Sequence, residues 1–357
     1  MKHRVLSALA VGALAVVAAE SAWAQQEWSF EGDQLLVTNL IGEITVRGHD
    51  GSRIIVRARP GGDDANLLDY QLKRGGQAEF HVVYPLDRAT HFKSPAGWGG
   101  RTDFRLEGWV KESSFLRDVY SDISDRERIR IGGGGDLEAW ADLEVLVPRG
   151  VSSRIKVAVG EINARDVQAA VDLDTHSGSV SARNIQGDTR VDTGSGSVEV
   201  SQIRGSLNVD TGSGSVEVSD VEGGSLLVDT GSGRVVVDGA KVSSFEVDTG
   251  SGSVRTSSIE ADDATIDTGS GSVTFDLVRM GDGRFVIDTG SGGVTVNLPT
   301  DASVRITAET GSGGITLEVP NAMLRRMSRD EVELEIGDGR AHLEIDTGSG
   351  GIKIRNR

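Results

Sequence analysis

The chain has 357 residues with 54 acidic and 37 basic side chains, a formal net charge of −17, and no cysteine. So much negative charge repels phosphate backbones and anionic lipid, which excludes nucleic acid as an expected partner and gives a peripheral membrane role no electrostatic help. Without cysteine there is neither a disulfide framework nor a lipid-accepting thiol, so stability has to come from backbone pairing and packing.

In chain order, residues 1–24 read as a secretory signal peptide. Lys2, His3 and Arg4 precede an apolar run over 5–19, and Ala22, Trp23 and Ala24 form a small-x-small cleavage site. The reading predicts cleavage after Ala24 and a periplasmic or secreted protein. No later stretch approaches the roughly 20 apolar residues of a membrane span, so no transmembrane anchor is expected.

Residues 25–150 are expected to form an N-terminal β cap lobe. Strand-like runs fall at 35–37, 43–46, 54–57, 79–83 and 143–147, and the NLIGEITV segment over 39–46 reads as a degenerate copy of the repeat that follows. Within this lobe, 86–136 is polar, Gly-rich and weakly periodic, and is expected to be a long, partly ordered insertion. It carries Phe92, Trp98, Phe104, Trp109, Phe115 and Tyr120. Aromatics among charged and Gly residues suit either recognition of a protein or glycan, or packing over the cap.

From 151 to 357 one short phrase recurs, as DTHSGS, DTGSGS, DTGSGR, ETGSGG and DTGSGG. Its acidic residue falls at Asp174, Asp192, Asp210, Asp229, Asp248, Asp267, Asp288, Glu309 and Asp346, in steps of 18, 18, 19, 19, 19, 21, 21 and 37 residues. A period near twenty is too short for a helical pair and fits one rung of a solenoid. Apolar residues alternate on both sides of the phrase, as in Leu207 and Val209 before it and Val216 and Val218 after it, which is the pattern of a strand with one buried face. The Gly-rich phrase itself is a turn. The predicted fold is therefore all-β: a parallel β-solenoid, or single-stranded β-helix, of about ten rungs of 18–21 residues, with the N-terminal β cap lobe. Residues 321–340 break the rhythm. They are expected to be an excursion covering a flank or the open end, with a short helix over 321–329 and a strand over 332–336.

Three segments, NLIGEITVRGHDGSRIIVRA, LEVLVPRGVSSRIKVAVGEINARDV and LPTDASVRITAETGSGGITLEVP, together with the iterated TGSGSV phrase, carry a resemblance. The chain resembles the bacterial β-strand-repeat, adhesin-like family, an exported domain family of unknown function. That resemblance implies a parallel β-solenoid at the cell envelope and carries no catalytic motif.

Candidate chemistry is sparse. The DTGS phrase is similar to the aspartic protease signature, but that chemistry needs two carboxylates sharing a proton across a closed cleft. Copies at solenoid spacing instead place successive carboxylates on adjacent rungs of an open face. Such a ladder is repulsive. Its relief is expected from Thr, Ser and Gly donors of the same phrase, with specific calcium less favoured because the calcium-binding nonapeptide rhythm is absent. His176 replaces a Gly in the first phrase and reads as a turn variant rather than a base. Thr193, Thr211, Thr230 and Thr249 sit beside Gly in turns rather than on a flat ice-ordering face. No catalytic, cofactor-binding or metal-binding set is expected. The leading reading is an exported, non-enzymatic adhesin-like surface or rigid spacer that meets a protein or glycan of the envelope. The alternatives are a carbohydrate-active β-helix enzyme (polysaccharide lyase or hydrolase) and a calcium-stabilised envelope protein.

Overall fold

The computed structural model describes residues 26–356 apart from 96, 97, 99, 112 and 125; the expected signal peptide and its cleavage site lie outside the described residues. The fold is all-β, and most of its strands join one large sheet in parallel register.

One repeat shows why. In Leu207–Ser213, the side chains of Leu207, Val209 and Thr211 are buried while Asp210 faces out, and the strand pairs in register with Thr189–Ser195 on one side and Val216–Ser232 on the other. Val216, Val218 and Val221 then turn inward from the next strand. β-branched residues suit such a pleated, half-buried surface, and stacking the same pattern fills the bore with aliphatic side chains. Phe245 and Phe275 widen this core, their rings 5.7 Å apart. A single rung buries too little to offset its own ordering, so each depends on its neighbours.

Two corners are fixed by backbone geometry. Gly196 has φ 152°, and a Cβ there would overlap the Gly178 carbonyl oxygen of the neighbouring rung. Only glycine permits that approach. At the other corner, Asp166, Asn184, Gln202, Asp220 and Ser258 are all left-handed, with Gly239 in the same series. Asn184 donates to Asp166 across 2.7 Å there, which helps a non-glycine residue tolerate that conformation.

Stacking order departs from chain order at both ends. Gln34–Ile41 lies between Gln77–Val83 and Ser152–Val159, all parallel, and Ile44–His49 lies between Trp140–Pro148 and Ile162–Arg165. The NLIGEITV segment is thus a rung, slotted beneath strands that follow it in sequence. At the far end, Ala341–Thr347 and Ile352–Asn356 slip between Arg284–Thr289 with Val294–Leu298 and Val304–Thr310 with Ile315–Glu318. The last segment of chain is therefore internal to the stack.

Antiparallel strands close the ends. Asp69–Lys73 covers Gln77–Val83, Ile54–Gly61 covers Trp140–Pro148, and Trp28, Tyr70 and Phe80 cluster beneath them. Opposite, Glu331–Ile336 covers Val304–Thr310 and is itself flanked by Met323–Met327. The short helix expected over 321–329 does not form, because pairing with Glu331–Ile336 overrides the helical propensity of the MLRRM run.

Residues 86–136 form a small three-stranded sheet, His91–Lys93, Arg101–Arg105 and Arg128–Gly132, and two short helices, Leu106–Val110 and Ser114–Val119. This unit lies on the outer face of the first strand column. Phe115 stacks on His81 at 5.5 Å, Phe104 meets His176 at 6.0 Å, and Lys156 Nζ sits 5.8 Å from the Trp109 ring.

Candidate functional site: the ladder face and its groove

The acidic residues of the phrase stand in one line on that outer face. Asp174, Asp192, Asp210, Asp229, Asp248, Asp267 and Asp288 pair in register, and Asp346 comes between Asp288 and Glu309 because the last rung is intercalated. The first two are offset by cations, Lys156 on Asp174 at 2.7 Å and Arg190 on Asp192 at 3.3 Å. Farther along, partial burial and then the flanking Asp210 and Asp248 push the Asp229 carboxyl up, and Asp288 is raised by burial and then by Asp267 and Asp346.

The threonines expected among the donors to this line serve the backbone instead. Thr193, Thr268 and Thr347 point inward and donate to the carbonyls of Gly178, Gly252 and Gly292 at 3.2, 3.0 and 2.9 Å. A hydroxyl so placed satisfies a buried carbonyl and cannot turn to the carboxylate on the opposite face. The same burial removes these threonines from any water-ordering surface. The carboxylates run in a line, and among the described residues no three metal-type side chains gather round one point.

Beside the ladder, a groove of about 590 Å³ crosses the strands along the stack. Its floor carries Leu36, Arg154, Asp172, Arg190, Asn208 and Leu227, one from each successive strand. Arg154 and Asp172 pair at 2.8 Å. The track runs from apolar Leu36 through the charged Arg154, Asp172 and Arg190 to Asn208 and apolar Leu227, which suits an extended ligand lying parallel to the stack axis. Alternation marked these positions as outward-facing, but they differ from rung to rung, so no repeated phrase singled them out.

The aromatic insertion is committed to packing. Phe92, Trp109 and Tyr120 are buried, and Trp98, Phe104 and Phe115 are half-buried. His176 is one of the residues it rests on. Beneath it lies a polar cluster that sequence reasoning missed: Thr38 Oγ1 lies 2.9 Å from His81 Nδ1, and His81 Nε2 lies 3.0 Å from Glu79 Oε2. Ser113 and Lys73 donate to the same carboxylate, both at 2.6 Å. Burial alone would raise Glu79, but the hydrogen bonds from Lys73, Ser113 and His81 outweigh it and hold the carboxyl below its usual range. Burial pushes His81 down. The line of hydroxyl, imidazole and carboxylate has the order of a nucleophile relay, yet Thr38, His81 and Glu79 are 2%, 0% and 3% exposed. Nothing can reach the hydroxyl, so the cluster clamps the insertion to the stack.

Stacked parallel strands with a repeated glycine corner define a β-solenoid repeat protein. Residues 203–355 match the family model described as Toastrack DUF4097. No curated protein matches the chain. A solved structure described as "a putative cell adhesion protein from Clostridium sporogenes ATCC 15579" is aligned over 93% of this chain and 99% of its own, at 11% identity and a TM-score of 0.17, a likeness too low to bear on either fold or function. Among the described residues no helix is long and apolar enough to cross a membrane.

Proposed function

We propose that the protein is an exported, non-enzymatic, adhesin-like β-solenoid, with the groove and acidic ladder of the first strand column as its contact surface. The remainder of the stack, about ten rungs in all, serves as a rigid spacer. The observation that carries this reading is the groove itself. It crosses successive strands and offers polar, charged and apolar contacts along one line, while the competing surface, the aromatic insertion, is used up in packing. Export rests on the leader-like residues 1–24.

The test is binding of the purified protein to isolated cell envelopes. Asn208→Arg combined with Leu227→Glu reverses the character of the groove floor without touching the core, and should weaken binding about tenfold or more. Arg255→Glu, an exposed change on the second strand column, should leave it intact. Equal binding by the groove variant sinks the assignment. Turnover of any member of a polysaccharide panel removes the non-enzymatic reading, and recovery from the cytoplasm with residues 1–24 intact removes export.

A further inference from the structure

The second strand column carries a feature that the groove does not explain. Arg47, Arg165 and Arg183 stand directly opposite one another on Ile44–His49, Ile162–Arg165 and Val180–Gln186. Adjacent strands are about 4.8 Å apart, and like charges facing each other across a ladder destabilise it. Elsewhere in this acidic chain several strand cations are offset from a neighbouring strand: Arg154 by Asp172, Arg204 by Glu222, Arg284 by Glu344 and Lys353 by Glu318.

Arg165 and Arg183 break that habit, and Arg47 shares its acid with another arginine. Arg47 reaches Glu144 at 3.5 Å, but Glu144 already takes Arg57 at 2.9 Å, and the Nε of Arg47 is shut off from solvent with no acceptor. Arg183 finds only the neutral Gln202, at 3.3 Å. Arg165 is exposed and has neither a hydrogen bond nor an ion pair from its side chain among the described residues. Two residues earlier on each strand, and so on the same face, run Thr45, Asn163 and Ser181. Glu43 accepts from Thr45 and Asn163, at 3.4 and 3.1 Å, and pairs with none of the arginines. Past Ser181 the neutral column gives way to Glu199 and Glu217, and past Arg183 the cationic column gives way to Ser201 and Ser219. The cationic track is three rungs long and ends in repulsive ground.

We infer that the Arg47, Arg165 and Arg183 column binds a short stretch of an acidic linear glycan through its uronate-type carboxylates. An extended peptide repeats its same-side carboxylates only about every 6.6–6.8 Å, out of step with rungs about 4.8 Å apart. A peptide would also favour a free strand edge, and this column is interior to the sheet. Single-stranded nucleic acid would call for aromatic platforms, and the column has none. The flanking hydroxyl and amide groups suit sugar hydroxyls, and the guanidinium groups offer paired donors to carboxylates.

Isothermal titration of the full chain with trigalacturonate tests the assignment. Binding should be seen at low ionic strength, fade as salt is added, and weaken about tenfold or more in Arg165→Ser. Arg255→Ser, which removes an exposed cation from the same column of strands outside the track, should bind as the parent does, and circular dichroism should show all three chains equally folded. Undiminished binding by Arg165→Ser overturns the site. Equal affinity for the methyl-esterified trimer overturns the role of charge. Equal affinity for tri-aspartate, or full competition by inorganic phosphate at the same concentration, overturns the glycan assignment in favour of a generic anion site. The groove variant above should bind trigalacturonate normally, so failure here and failure of the envelope-binding surface are told apart.

Discussion

Within each DTGSG phrase, neighbouring residues do opposite work. Threonine turns in and at most copies satisfies a glycine carbonyl, whereas aspartate turns out into a line of like charges. Two threonines, Thr211 and Thr230, are buried without a partner for their hydroxyls, and they flank the same stretch of ladder as Asp210 and Asp229. The raised Asp229 and Asp288 mean that, between the ordinary carboxylate value and their own, the folded chain holds more protons than the unfolded chain. Stability from these two groups is therefore least above that window and grows as pH falls through it. Glu79, Asp103 and Asp330, all held low, act in the opposite sense and lose their contribution as pH falls below the ordinary value toward their own. Asp229→Asn should accordingly raise the melting temperature near neutral pH by roughly one to two degrees, the scale of an exposed charge interaction in a chain of this size. The gain should shrink in high salt and vanish once pH has dropped through the window. Thermal unfolding followed by circular dichroism at several pH values reads it directly, and a gain that persists in acid would show that repulsion is not the cause.

At the scale of strands, stacking order rather than position in the chain sets the energetic weight of a side chain. Ile354 stands near the end of the sequence but is fully buried between two rungs, while Leu317, on the outermost strand of its column, is only half covered. Ile354→Ala should cost about 3 kcal/mol and Leu317→Ala about 1 kcal/mol, since the first opens a cavity in a closed core and the second trims an edge. Urea denaturation compares them, and equal losses would place the final rung at the rim. The sequence made the unit of this fold legible, because a buried face with period two and a glycine corner repeat almost without variation. It also placed Asp210 next to Asp229, and NLIGEITV among the rungs. Stacking order was not legible, since one rung's alternating face fits on almost any other. The MLRRM strand was hidden for a different reason: its residues favour a helix, and only the partner strand 331–336 decides otherwise. The groove and the arginine column emerge only when unlike residues of separate rungs are brought into register.

For the molecule as a whole, one hydrophobic cluster runs from Phe30 to Ile354 without a break. In a stack with mainly nearest-neighbour contacts, opening proceeds from the ends, and the cost of exposing a strand rises with the number of interfaces that must part first. Here each end is stapled, because a segment near a chain terminus is held between rungs that lie elsewhere in sequence. The weak point is the outer strand Met323–Met327, which is paired on one side only and leaves Met323, Leu324 and Met327 56%, 51% and 57% exposed. Amide hydrogen exchange should therefore be fastest at Met323–Met327 and slowest across Leu207–Ser213 and Val216–Ser232, in mid-stack. Ala341–Thr347 should be protected well above Met323–Met327 despite lying closer to the end of the chain, because both of its edges are paired, to Arg284–Thr289 and to Val304–Thr310. Exchange at Ala341–Thr347 as rapid as at Met323–Met327 would mean that the final rung frays from the stack, and the intercalated order of strands could not then be what holds this end closed.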